Sequence, residues 1–205
     1  MEKPADNAYP INELIRQRWS PRAFEERRVE REKLLSLFEA ARWAPSAFNA
    51  QPWSFIFATK EERHTYNRLL DCMPPSNQYW AQWAPVLVLT VTNLYLPSRK
   101  PDRFAYYDVG LAVENLVLQA TALGLACHQT GGVDVKKART EFSIPEGYDP
   151  IDVIAIGYAA DASRLPEDLR VMELATRSRK PLRDFVFSDR WGKVSPLLQN
   201  SRLFG

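Results

Sequence analysis

An α+β fold is predicted from three observations. Strand-like and helix-like segments follow one another irregularly along the 205 residues, without the regular strand, helix and parallel strand unit that builds a doubly wound sheet. Val86-Leu87-Val88-Leu89-Thr90-Val91-Thr92 is apolar almost throughout and reads as a strand buried on both faces. Asp108 to Leu123 is apolar nearly all round a helix, so it needs cover from the fold or from another subunit. A chain of this length is expected to form one domain, residues 1–205, and to bury about 70% of its unfolded surface.

The elements follow in order. After a short loose arm, Asn12 is placed to cap a helix through Leu14 and Ile15 to Arg18, which Pro21 stops. A second helix is predicted from Glu30 to Trp43, with Leu34, Leu37, Phe38 and Ala41 on one face and Pro45 just beyond. Phe55 to Ala58 forms a short strand, and Glu61 to Leu70 a charged surface helix. Cys72 to Pro85, with two further prolines, Tyr79, Trp80 and Trp83, reads as a long loop of the kind that serves as a lid or interface. After the Val86 strand, Asp108 caps the apolar helix and Gly124 ends it. A strand from Leu125 runs into Gly131-Gly132, Asp134 caps a short helix through Arg139, and Ile151 to Tyr158 is a further strand. The tail is polar to Pro166, basic at Arg177-Ser178-Arg179-Lys180-Pro181, and extended around Phe185-Val186-Phe187.

Composition narrows the function. Apolar residues make up 45% and charged residues 25%, ordinary for a globular protein. A net charge of +2 is too mild to make nucleic acid the main partner. Cys72 and Cys127 cannot form a disulfide framework and fit a reducing compartment. The N-terminus lacks an apolar signal core, and no apolar run approaches the roughly 20 residues of a membrane span, so a cytoplasmic protein is expected. His64 and His128 show no metal-ligand spacing, and no metal is expected. The chain has no Walker loop, no Gly-rich dinucleotide fingerprint and no Gly-x-Ser-x-Gly elbow. An enzyme of this composition would rely on a bound cofactor for its chemistry.

Three polar segments stand out: Arg16-Gln17-Arg18-Trp19-Ser20-Pro21-Arg22, the loop from Ala44 to Trp53, and Arg177 to Pro181. Arginines at alternating positions with a serine between them can offer two planar forks and a hydroxyl to one phosphate. The loop sets Ser46, Asn49 and Gln51 between Pro45 and Pro52, which suits reading the polar edge of a flat heterocycle. Each feature also has a plainer reading. Arginine clusters are commonly solvated, Asn49 and Gln51 can brace a turn, and Gly131-Gly132 is a turn signal. Trp80 and Trp83 can be core or interface, Tyr106 and Tyr107 core or pocket lining, and His128 a structural residue.

Taken together these segments resemble the nitroreductase family, homodimeric FMN-dependent NAD(P)H oxidoreductases. Arg18-Trp19-Ser20-Pro21-Arg22 is similar to its N-terminal Arg-x-Ser-x-Arg/Lys motif, and Pro45-Ser46, Asn49 and Gln51-Pro52-Trp53 to its Pro-Ser-x-x-Asn-x-Gln-Pro-Trp loop. Asp108 to Gly124 resembles its interface helix, with Asn115 and Leu116 in place. Gln129-Thr130-Gly131-Gly132 falls at its flavin-facing loop, Ile156-Gly157-Tyr158 at the strand before its tail, and Arg177 to Pro181 at its C-terminal basic motif. The resemblance implies a central mixed sheet flanked by helices, in a homodimer whose C-terminal tail reaches the partner subunit.

It also implies roles. Arg18, Ser20 and Arg22, with the Trp19 backbone, would hold the FMN phosphate and nearby flavin groups, and Arg177 and Arg179 would close on it. Pro45, Ser46, Asn49 and Gln51 would come from the partner, with Pro45, Ser46 and Asn49 lining the isoalloxazine. Gln129, Thr130, Gly131 and Gly132 would pass along the flavin edge, with the Gly131 and Gly132 backbone near N5. No side chain is implied as catalytic. Hydride would pass from NADH or NADPH to N5, and then a small acceptor such as a nitroaromatic or quinone would be reduced on the same face by ping-pong kinetics. Alternatives are a flavin storage or sensing protein and a flavin-fragmenting relative. Gly131 stands where many members carry an acidic residue, and no large lid is inserted before Asp108.

Overall fold

The computed structural model describes residues 2–198. These residues fall into two compact units, divided between Ala175 and Thr176. The ends of the expected 1–205 domain, Met1 and residues 199–205, lie outside the described residues.

The first unit is built on four strands, β1 (Trp53–Thr59), β2 (Val86–Asn93), β3 (Ala126–Thr130) and β4 (Tyr148–Gly157), in the order β1-β2-β4-β3. Every pairing in this sheet is antiparallel, so the expected mixed sheet is corrected. The reason is topological. β2 and β3 run in the same direction, but β4 lies between them and pairs with both.

Among the described residues the first unit also holds seven α-helices: α1 (Glu13–Gln17), α2 (Arg31–Arg42), α3 (Arg63–Asp71), α4 (Pro75–Ala81), α5 (Ala105–Ala122), α6 (Val135–Phe142) and α7 (Glu167–Leu174). Successive strand residues point to opposite faces, and the core divides accordingly. Val86, Val88, Ile154, Ile156 and Cys127 pack with Leu34, Leu37 and Ala41 of α2 and with Val109, Ala112, Leu116 and Ala120 of α5. Leu87, Leu89, Val91, Val153 and Ala155 pack on the other face with Leu69, Trp80 and Ala138 from α3, α4 and α6. β2 is buried from Val86 to Thr92, as its apolar run predicts.

Several local signals behave as their chemistry requires. Asn12 accepts from the Leu14 N–H at 3.0 Å, and Asp134 from that of Lys137 at 3.0 Å. Gly124, at φ +73°, takes the left-handed position after α5, letting the Leu125 N–H reach the Ala120 carbonyl at 2.8 Å.

Other expectations are corrected. Cys72 to Pro85 is not a loop throughout, because α4 occupies its middle with Pro75 in the first turn. A proline there loses no hydrogen bond and presets φ, so the Pro74-Pro75 pair opens a helix instead of breaking one. α5 begins at Ala105, and Asp108 is an inward-facing first-turn residue, not its N-cap. α5 buries Val109, Ala112, Val113, Leu116 and Val117 but leaves Tyr107, Gly110 and Glu114 exposed in the single chain. The N-terminal arm is tied down, with the Ala5 N–H on the Arg16 carbonyl at 2.8 Å and the Lys3 ammonium on the Glu173 and Ala175 carbonyls, each at 2.6 Å. In the second unit, Leu182–Asp184 forms a 3-10 turn, and Phe187 pairs with Val194 across an antiparallel bridge. No helix among the described residues is long and apolar enough to cross a membrane.

Candidate functional site

Residues 18–22 leave the end of α1 as a non-helical segment with a bend at Arg22, which continues into residues 23–25. There the Glu25 N–H donates to the Tyr158 carbonyl at 2.9 Å, and the Ala160 N–H to that of Ala23 at 3.0 Å. The segment is thus stitched to the chain just past β4. Arg18 Nη1 donates to Ser20 Oγ at 3.2 Å, so a guanidinium and a hydroxyl already stand together. Trp19 lies under the Lys3 ammonium, 5.2 Å from the ring centroid.

The half-buried His128 and the buried Glu173 brace this segment from behind. His128 on β3 places Nδ1 2.9 Å from the Pro21 carbonyl, and its ring lies 4.4 Å from that of Trp80. A carbonyl can only accept, so Nδ1 carries a proton. Burial pushes the imidazole pKa down to about 4; the Pro21 carbonyl opposes this, and the Arg22 and Arg18 charges add to it. His128 is therefore a structural brace that keeps its own positive charge out of the site. The second brace is Glu173 on α7, which is 1% exposed. Its Oε1 accepts from the Arg22 and Ala23 N–H groups at 2.9 and 3.2 Å, and its Oε2 lies 3.9 Å from Arg22 Nη1.

β3 runs on into the glycine pair. Thr130 is buried with its hydroxyl on the Val153 carbonyl at 3.0 Å, while Gln129 is half-buried. Gly131 is exposed, and a Cβ built on it would meet nothing within 4 Å, which leaves its backbone open to close approach. Gly132 sits at φ +85° against Pro74, a backbone state that favours glycine. The Gly131 carbonyl accepts from Asn77 Nδ2 at 3.3 Å, so α4 helps to place this turn.

The loop after α2 holds strain. Phe48, Asn49 and Gln51 lie at φ 55°, 55° and 47°, left-handed values that cost non-glycine residues energy. Ser46 Oγ accepts from the Gln51 N–H at 3.0 Å, and Gln51 Nε2 donates to the Asn49 carbonyl at 3.2 Å. The anchor is Asp108, 2% exposed on α5, which accepts from the Ala47 N–H at 2.8 Å. Phe48 and Tyr107, each next in sequence to that anchor, are 84% and 68% exposed. Pro45 and Asn49 are exposed as well. Arg177 and Arg179 belong to the second unit, where Arg179 Nη1 donates to the Ser178 carbonyl at 2.8 Å.

Asp152 on β4 faces Thr90 of β2 in register, and burial raises its carboxyl pKa to about 6, with Thr90 opposing. Its effect on stability opposes that of His128. The depressed His128 pKa gives stability present above about pH 6.5 that is lost as pH falls towards 4. The raised Asp152 pKa makes the fold bind the extra proton between about 4 and 6, so its cost fades as pH falls through the same window. Asp152→Asn removes the opposing effect. Thermal melts from pH 7 to 4 are expected to fall more steeply for Asp152→Asn than for the parent, and parallel curves would contradict the assignment.

A model described as the Nitroreductase family matches residues 15–158, more than half of the chain. The chain belongs to the nitroreductase family. Arg18 to Arg22, the strained loop and Gln129 to Gly132 all lie in the matched span, whereas Glu173, Arg177 and Arg179 lie beyond it. A protein of Methanothermobacter thermautotrophicus, provisionally named an NADH dehydrogenase/NAD(P)H nitroreductase, is 33% identical over 157 residues, covering 74% of this chain and 78% of its own. The crystal structure of an oxidoreductase containing FMN matches with a TM-score of 0.86 and 34% identity, covering 92% of this chain and 96% of that one. A nitroreductase family protein from Clostridium difficile 630 matches with a TM-score of 0.68 and 28% identity, over 86% of this chain and 96% of that one.

Around this candidate site of the nitroreductase-family chain, sequence reasoning missed Glu173, Asn77, Lys3 and the anchoring role of Asp108. One signal was present. Leu165, Leu169 and Glu173 recur at four-residue spacing and are all buried, so Glu173 occupies an apolar-stripe position that an ordinary surface glutamate would not.

Proposed function

We propose that this chain is an FMN-dependent oxidoreductase that draws electrons from NADH or NADPH and passes them to a small acceptor such as a nitroaromatic or a quinone. The observation that carries the reading is the Arg18-Ser20-Arg22 segment, braced by Glu173 and by His128 of β3, the strand that leads to the open backbone of Gly131. That donor set suits a phosphate dianion, and a Cβ-free turn suits the edge of a flat ring. FMN held there supplies the acceptance and return of hydride.

The protein's own contribution is binding and orientation. Arg18 and Arg22 fix the phosphate with Ser20 between them, and the Trp19 backbone follows the same segment. Gln129, Thr130, Gly131 and Gly132 run along the ring edge, where backbone N–H groups can donate to developing negative charge without a side chain in the way. Pro45, Ser46, Asn49 and Gln51 approach from a partner copy. The exposed Phe48 and Tyr107 and the uncovered side of α5 support a homodimer.

Purified protein supplied with FMN is expected to be yellow, to bleach with NADH or NADPH in the absence of oxygen, and to regain colour when a quinone is added. Colourless protein that ignores FMN would sink the reading. Yellow protein that neither nucleotide bleaches would make it a binding protein without turnover.

A further inference from the structure

The structure assigns Glu173 as a positioning residue for the phosphate grip, an inference that rests on the FMN reading above. Its carboxylate is buried, with the side chain 1% exposed. Both oxygens are turned to the protein: Oε1 takes the Arg22 and Ala23 N–H groups at 2.9 and 3.2 Å, while Oε2 lies 3.1 Å from the Arg22 N and 3.9 Å from Arg22 Nη1. Two consecutive N–H groups on one carboxylate fix the direction in which the chain leaves Pro21, and with it the root of the Arg22 side chain. The same glutamate ends a helix that is itself held. The Lys3 ammonium takes the Glu173 and Ala175 carbonyls, each at 2.6 Å, and lies 5.2 Å over the Trp19 ring. α7, the N-terminal arm and the Arg18–Arg22 segment therefore close on one another.

The sign of the effect separates positioning from charge. A negative group beside an anion site weakens anion binding by Coulomb's law, so removing it should tighten FMN if charge were its role. A positioning role predicts the opposite. Without Glu173 the part-buried Arg22 N–H and the buried Ala23 N–H lose their acceptor, the turn after Pro21 relaxes, and Arg22 is no longer aimed.

The test measures FMN and riboflavin affinities of the full-length protein by quenching of flavin fluorescence, with thermal melts to confirm folding. Riboflavin lacks the phosphate and reports the ring site alone. Glu173→Ala is expected to weaken FMN about tenfold or more while riboflavin changes less than about twofold. Glu173→Gln keeps Oε1 as an acceptor and should fall between the parent and Glu173→Ala; it also serves if the alanine variant does not fold. An unchanged or raised preference for FMN over riboflavin in the folded variants would overturn the positioning role and leave the FMN reading standing. A parent protein that binds no FMN would overturn both.

Discussion

Arg18→Ala is expected to weaken FMN binding by about 1.5–3 kcal/mol, roughly ten- to a hundredfold, the range for hydrogen bonds to charged groups. A neutral hydrogen bond would give only about 0.5–1.5 kcal/mol, so the size of the loss reports a charged contact. Arg18 is half-buried, which limits screening by water, and Ser20 already holds one edge of its guanidinium at 3.2 Å. Arg18→Lys keeps the charge but loses the planar fork, so it should recover only part of the affinity. Fluorescence titration with FMN and riboflavin reads both. Unchanged FMN affinity in Arg18→Ala would remove this residue from the site.

Trp80→Ala is expected to destabilise the fold by about 3–5 kcal/mol, a large part of the 5–15 kcal/mol typical of a whole domain. Trp80 is 2% exposed, with Phe24 at 6.4 Å on one side and His128 at 4.4 Å on another. The cavity would open behind His128, the residue that props the Pro21 carbonyl, so the damage should reach the site as well as the core. Denaturant unfolding should show a lower midpoint with an unchanged slope. A loss below about 1 kcal/mol would show that the indole is not packed as described. A folded fraction at low temperature should hold FMN less tightly than the parent.

What the sequence revealed and what it hid follow one physical division, between local and distant interactions. α2 was legible because Leu34, Leu37 and Ala41 repeat at helical spacing within one element and are buried together. β2 was legible because burial on both faces leaves an unbroken apolar run. α4 was hidden by Pro74-Pro75, whose effect depends on whether a proline falls in a first turn or an interior. α7 was hidden because Glu173 interrupts its apolar stripe. The candidate site divides in the same way. The arginine segment and the Pro45–Pro52 loop are continuous in sequence and announce their chemistry. Their supports are not, since Arg22 meets Glu173 across 151 residues and Ala47 meets Asp108 across 61. Asp108 was misread as a cap because an aspartate before an apolar helix resembles one until its partner is known.

The strained loop bears most directly on the central claim, that the FMN site is built by two copies of the chain. A loop with three left-handed non-glycine residues, tied to a buried carboxylate, and an 84% exposed phenylalanine at its tip are the arrangement expected of a segment ordered to meet something outside its own subunit. The claim can be tested by mixing two variants, each impaired at limiting FMN. Arg18→Ala disables the phosphate grip, and Asn49→Gly deletes the loop amide while accepting the left-handed backbone. If each site joins the arginine segment of one subunit to the loop of its partner, a hybrid dimer holds one intact site and one doubly altered site. NAD(P)H-dependent quinone reduction at limiting FMN is then expected to rise, after mixing and subunit exchange, towards half the parent rate per hybrid dimer. Activity that stays at the level of the two separate variants, with exchange demonstrated, would contradict the shared site.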